Sequence, residues 1–389
     1  MQLTDTQKAI IETVRDFVEK EVIPVAEELE HKDEFPEKIY EGMKEMGLFG
    51  LTVPEQYGGV GESLMTYALT VVELARGWMS LSGILNTHFM GCYLINKFGT
   101  DEQKRKHLPR MATGEIRAAL AMSEPEAGSD VQAIRTKAIR DGDDYVVNGQ
   151  KMWLTNGLRS GIVMTLVKTD PESDPPHRGM SMLIVEKEPG EANPARGLDC
   201  GKNIDKMGYK GIETIEMTFS DYRTPVSSLL GNEEGQGFRQ VLDAIEVGRV
   251  NVSARAVGVA TRAFEEAIRY SQERKAFGKP ISQHQAIQIH LAEMGTTLEA
   301  AKLMLYSAAE KKSSGERSDL EAGMSKLFAS EACHEIVLKS LRVHGGYGYS
   351  KEFTIERLYR DAPFLLIGEG TSEIQKTVIA RRLLEKYKI

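Results

Sequence analysis

The sequence predicts a mainly α protein with a central β domain: an N-terminal helical domain over residues 1–120, a small β-barrel over 121–231 and a C-terminal four-helix bundle over 232–389. Three observations carry this prediction. Apolar residues recur at helical spacing through the first third of the chain. The middle third is cut by the turn dipeptides Asp141–Gly142, Asn148–Gly149 and Asn156–Gly157, with short alternating stretches between them. From "GNEEGQGF" (231–238) the helical period returns and persists.

In the opening segment, Ile10, Ile11, Val14, Phe17, Val18 and Val22 fall on one helical stripe among charges of both signs. This is an amphipathic helix and not a leader peptide. "VPEQYGG" is a loop marked by Pro54 and Gly58–Gly59. From Leu64 to Lys97 the chain is almost uncharged after Arg76, which predicts a helix buried on most of its surface, in a core or against an apolar ligand. Strands are predicted at the "MWLT" run and at 162–168, 180–187 and 214–219. Helices are predicted at about 236–275, 281–312, 318–344 and 371–387, the second introduced by Pro280 and the third ended by Gly345–Gly346.

Composition excludes several functions. With 49 basic against 57 acidic residues, the net charge of −8 gives no basic surface for nucleic acid. The three cysteines, Cys92, Cys200 and Cys333, are scattered, and the eight histidines form no HExxH, so neither a disulfide framework nor a metal site is expected. No apolar stretch reaches membrane-spanning length. A cytoplasmic enzyme is expected. Walker A, strand-bound GxGxxG and GxSxG sequences are all missing, so any redox cofactor must be held by other means.

Several segments carry chemistry. "LLIGEGTSEIQ" (365–375) sets one carboxylate, Glu369, between two glycines after an apolar run, which makes room beside a charged group. "AMSEPEAGSDVQAIRTKA" (121–138) offers hydroxyls and unshielded backbone N–H groups that suit a polar ring or a phosphate, and equally a solvated turn. "KMWLTNG" (151–157) places Trp153 and Thr155 on the same side of a strand, fit for one face of an aromatic cofactor or for a core indole and a surface hydroxyl. "ERKAFGKPISQHQ" puts Arg274 at a helix end with Gln285 at the next helix start, a pair suited to a pyrophosphate or to capping.

Together and in this order, "SEPEAGSD", "KMWLTNG", "ERKAFGKPISQHQ", "HGGYGY" and "IGEGTSEIQ" resemble the acyl-CoA dehydrogenase family over essentially the whole chain. The resemblance implies an FAD enzyme, of short/medium or branched-chain type, that turns an acyl-CoA thioester into the trans-2-enoyl-CoA. A carboxylate takes the α-proton, the β-hydrogen passes as hydride to flavin N5, and electron-transfer flavoprotein accepts the electrons. Glu369 matches the base. The other base position known in the family, just before Arg249, is Gly248 here, and Glu246 faces another way by helical spacing.

For FAD, the resemblance implies Leu120, Met122, Ser123, Gly128, Ser129, Trp153, Leu154 and Thr155, then Thr371 and Glu373 after the base. Arg274, Phe277, Gln285, Arg342, Gly345 and Gly346 match positions that reach the FAD of a neighbouring subunit, so a homotetramer is implied. For the acyl-CoA it implies Ser129, Glu246, Arg249 and Gly370. Gly368 stands where many relatives carry Tyr, leaving space for a branch or ring near the thioester. Leu120, Glu126 and Ile212 are further departures. The neutral segment Gly77–Asn96 favours an uncharged acyl group, in fatty-acid or branched-chain catabolism. An acyl-CoA oxidase on the same fold is the alternative, although oxidases are usually longer.

Overall fold

The computed structural model describes residues 3–190, 196–314 and 316–389. Helix α1 (Asp5–Phe17) starts at a Thr4–Gln7 capping box and runs through a π turn at Val18–Val22 into α2 (Ile23–His31). Ile11, Val14, Val18, Val22 and Ala26 form its buried stripe, as their spacing requires. Helix α3 spans Glu37–Glu45. The single helix predicted from Leu64 to Lys97 is two, α4 (Leu64–Gly77) and α5 (Met79–Phe98). Trp78 breaks them by taking an extended conformation (φ −156°, ψ 115°) that seats its indole in the core. Both helices are buried on nearly every face, which is why α5 has no Asp, Glu, Lys or Arg before Lys97 and the Glu73 and Arg76 of α4 are ion-paired. Helix α6 covers Asp101–Ala112.

The middle region is one curled sheet of β1 (Ala118–Ala121), β2 (Lys137–Asp141), β3 (Asp144–Thr155), β4 (Ile162–Lys168), β5 (Met180–Glu186), β6 (Leu198–Cys200) and β7 (Thr214–Pro225). Its order is β1-β4-β2-β3-β7-β6, with β5 on β4. Asp141–Gly142 is the predicted hairpin turn, joining β2 to β3. The other two dipeptides are not hairpins. Asn148–Gly149 lies inside β3 at a bulge opposite β7, where the Asn148 amide and Asp221 exchange two hydrogen bonds. Asn156 ends β3 in the left-handed region (φ 62°) with its side chain fully buried.

Five helices follow: α7 (Gly237–Glu273), α8 (Gln285–Ser313), α9 (Asp319–His344), α10 (Thr354–Ile367) and α11 (Ser372–Lys386). The four predicted helices are all present, and α10 is the addition. Pro280 sits in a two-residue β ribbon before a 3₁₀ turn, so α8 starts only at Gln285. Helix α7 is the central rod, packed by α4, α5, α8, α9 and α10. Among the described residues, no helix is long and apolar enough to cross a membrane.

Candidate active site

The α10–α11 connection presents Glu369 in the left-handed region (φ 54°) beside Gly370 (φ 93°). Three contacts hold this strained turn. Lys326 of α9, fully buried, donates to the Gly370 carbonyl at 2.8 Å and to the Leu366 carbonyl at 3.4 Å. The Gln375 amide donates to the Glu369 and Gly370 carbonyls at 3.4 and 3.3 Å. The Thr371 hydroxyl caps α11 through Ile374 N–H. Burial holds Lys326 down at about 8, against the pull of Glu369.

The Glu369 carboxylate turns inward. Oε1 accepts a short hydrogen bond from the Asn86 amide of α5, and Oε2 is buried with no partner. Across from it lies Gly248 of α7, where a Cβ would stand 2.0 Å from Oε2. Burial pushes the carboxyl above the ordinary glutamate range, with Arg255, the Asn86 hydrogen bond, Lys326 and Arg249 opposing it. The Glu369 backbone N–H makes no hydrogen bond among the described residues. Arg249 has a buried Nε without a partner. Glu246, one of the predicted ligand-binding residues, is engaged by Lys312 at 3.2 Å and by the Ser318 hydroxyl at 2.5 Å.

The space left by Gly368 is filled. A Cβ there would meet the Phe364 ring at 2.9 Å, and Phe364 stacks on Tyr209 with ring centroids 4.5 Å apart. The predicted opening for a branch is therefore a wall of two aromatic rings.

The sheet approaches this turn through β3. Asn156 donates to the Gly83 and Ile84 carbonyls and to the Thr87 hydroxyl (2.6 Å), pinning the strand end to α5 one residue from Asn86. Leu154 is buried, while Trp153 is 56% exposed at φ 66° and Thr155 is half-buried. Leu120 sits on β1, and Met122 and Ser123 follow it; the Ser123 carbonyl accepts from Met152 N–H at 2.9 Å. The loop after them is held by Glu124, which accepts from the backbone of Arg135 (2.6 Å) and Thr136 (2.9 Å) and from buried Lys151 (2.9 Å). Gly128 and Ser129 are exposed, with nothing within 4 Å of a Gly128 Cβ.

A second cluster forms a groove of about 830 Å³ where α7, α8 and α9 meet. Arg274, Phe277, Gly345 and Gly346 line it, over a floor where Tyr270 stacks on His344 at 4.4 Å. Gln285 begins the adjoining helix, and Arg342 lies exposed near the end of α9. Phe277 is 96% exposed at φ 52°, projecting out of its own chain. Residues 120–129 and 153–155 do not line this groove. Thr371 is spent on capping, and Glu373 is exposed in the first turn of α11.

These residues fit a flat aromatic group with a phosphate tail. An exposed indole stands beside a hydroxyl, a loop offers open backbone at Gly128, and the outward Phe277 and unshielded Gly345–Gly346 suit a group shared with a second chain. Asn86, Arg255, Lys326 and Gln375 were not singled out from sequence. Asn86, Arg255 and Lys326 sit on helices distant from Glu369 in the chain, where residue spacing signals burial but not its neighbour, and Gln375, six residues on, reaches back only because of how α11 leaves the turn.

Residues 4–115, 119–222 and 235–384 match the family models of the acyl-CoA dehydrogenase N-terminal, middle and C-terminal domains. The chain is 40% identical over 385 residues to an acyl-CoA dehydrogenase of Bacillus subtilis (strain 168), covering 99% of each. It is also 40% identical over 392 residues to the 3-(aryl)acrylate reductase of Clostridium sporogenes, covering 99% of this chain and 100% of that one. The solved structure of butyryl-CoA dehydrogenase from Megasphaera elsdenii matches with a TM-score of 0.94 at 34% identity, over 99% of both chains. The chain thus belongs to the acyl-CoA dehydrogenase family of FAD-dependent oxidoreductases that act on acyl-CoA.

Proposed function

We propose that the chain dehydrogenates an acyl-CoA thioester between Cα and Cβ, with Glu369 as the base. One observation carries this reading: a buried carboxylate whose Oε2 has no partner, held in a strained turn facing a helix position where only glycine leaves room. A carboxylate so placed has its pKa raised toward the working range of a general base. Its unused backbone N–H is a donor for the thioester carbonyl, on which negative charge grows as the α-proton leaves. Bound FAD supplies the acceptor for the β-hydride.

In this reading Leu120, Met122, Ser123, Gly128, Ser129, Trp153, Leu154, Thr155, Thr371 and Glu373 hold the flavin. Arg274, Phe277, Gln285, Arg342, Gly345 and Gly346 serve the neighbouring subunit's cofactor, within a homotetramer. Arg249, with its unpaired Nε, and Gly370 face the CoA thioester; Ser129 and Glu246 complete the candidate set. Electron-transfer flavoprotein takes the electrons, in the cytoplasm. Anaerobic titration of the yellow protein with acyl-CoA thioesters tests this: bleaching of the visible flavin band by thioester supports it. Loss of bleaching only through rapid reoxidation in air would reassign the protein as an oxidase.

A further inference from the structure

Tyr209 lies between β6 and β7, buried, with its backbone in the left-handed region (φ 56°). A bulky residue is strained there and stays only where its surroundings hold it. Three contacts do so. Its N–H donates to Oδ1 of fully buried Asp361 at 2.7 Å, and its ring stacks on Phe364 with centroids 4.5 Å apart. The Ser80 hydroxyl donates to the carbonyl of the next residue, Lys210, at 2.6 Å. So held, the phenol oxygen rests on α5 at Gly83, where any Cβ would overlap it. Asn156, the residue after Thr155, donates to the carbonyl of that same Gly83 at 3.3 Å. The phenol tip and the end of β3 therefore meet on one helix residue.

The hydrogen bonds at that tip have a direction. Buried Arg255 of α7 donates from Nη1 to the Tyr209 oxygen at 3.2 Å, and a guanidinium can only donate. The phenol thus accepts from Arg255 and keeps its own O–H to give. The side-chain hydroxyl facing it is that of Thr155. A Thr155 oxygen that accepts from the phenol has its own hydrogen left to donate elsewhere, and Thr155 is only half-buried, so part of it remains open. A buried cation at the head of such a row polarises each bond along it. A phenol needed only for packing would require neither the cation nor a glycine under its tip.

We propose that Tyr209 is a positioning residue for the flavin: its phenol, held by Arg255, fixes the Thr155 hydroxyl as a hydrogen-bond donor to an acceptor atom on the flavin edge. Tyr209 can do so only if Thr155 contacts the flavin, the reading given above. A donor polarised by a buried cation stabilises the negative charge that the ring gains on reduction, so the row raises the flavin's midpoint potential. The test is that potential, measured by anaerobic reduction of the holoenzyme against a reference dye, in wild type, Tyr209→Phe, Thr155→Val and the double variant. Phenylalanine keeps the ring that stacks on Phe364 and removes only the hydroxyl. Tyr209→Phe should hold the two-electron-reduced flavin about 10-fold less tightly, a fall of about 30 mV in potential, with flavin content unchanged. In the Thr155→Val background the same substitution should change nothing further, because its route to the ring is gone. An unchanged or raised potential in Tyr209→Phe, or an equal fall in both backgrounds, would overturn the role of Tyr209 while leaving the dehydrogenation reading intact. A wild-type protein that binds no flavin would overturn that reading, and this inference with it. Arg255→Gln gives a second handle should Tyr209→Phe not fold: it removes the charge at the head of the row and should also lower the potential, and an unchanged potential there would overturn the proposal too.

Discussion

A Cβ on Gly248 would lie 2.0 Å from Oε2 of Glu369, so the α7 backbone itself forms the far wall of the carboxylate's seat. Because the atom met is the tip of a side chain, the clash is relieved by swinging the carboxylate away and not by moving a helix. Gly248→Ala should therefore leave stability within about 1 kcal/mol, with the helix propensity of alanine offsetting the strain. A base displaced by about 1 Å loses roughly 100-fold in rate. Thermal melts alongside single-turnover flavin reduction check both halves; unchanged reduction would mean that the carboxylate works from another position.

The Asn86 amide donates to Glu369 Oε1 and so favours the ionised form. Asn86→Ala should raise the pKa of the base, leaving more of it protonated at any given pH. The acid limb of the kcat/KM profile then moves to higher pH while the alkaline side is unchanged. A limb that stays in place would show that Asn86 does not touch the working state of Glu369.

Lys326 ties the Gly370 and Leu366 carbonyls to α9 from a fully buried position. Losing those bonds costs about 2–3 kcal/mol, whereas removing a lysine held near 8 recovers about 3 kcal/mol at neutral pH. Lys326→Met is thus expected to melt within a few degrees of wild type and to lose roughly 10-fold in kcat. The linkage has a definite sign. Between about 8 and the ordinary lysine value the folded protein holds fewer protons than the unfolded chain, so this residue adds stability as pH rises through that window. Wild type should gain on the variant there, as measured by denaturant unfolding at pH 7.5 and 9.5 (values chosen to bracket the lower end, at about 8).

The loop after β1 hangs on the Glu124–Lys151 pair, both members buried. Glu124→Ala would strand a lysine whose burial already lowers it to about 8, and should cost about 3–5 kcal/mol. The Glu124→Ala/Lys151→Met double variant should recover much of that loss. Equal instability of the single and double variants would place the effect in the backbone bonds to Arg135 and Thr136.

Legibility in the sequence followed the range of the physics. Glu369 was visible because its enabling residues, Gly368 and Gly370, are its neighbours, and α7, α8, α9 and α11 were visible because each repeats its apolar period over several turns. Helix α10 was hidden because Pro363 interrupts it and the glycine turn before it reads as loop. Asn148–Gly149 carries the composition of a hairpin turn, yet its cross-strand partner Asp221 makes it a bulge, and that partner is 73 residues away. Tyr209 stacking on Phe364 beside Gly368, and Arg255 reaching the Tyr209 hydroxyl, are likewise facts of packing between distant segments.

The central claim is that Glu369 takes the α-proton, and the direct measurement is anaerobic flavin reduction by Glu369→Gln with a thioester that bleaches the wild type. The variant should bind FAD and perturb the flavin spectrum on adding thioester, while reduction slows by at least about 1,000-fold. It should also be more stable than wild type at neutral pH, because a carboxyl raised by burial loses stability as pH rises through its folded-state pKa and the amide does not titrate. Reduction at the wild-type rate would contradict the account and place the base elsewhere.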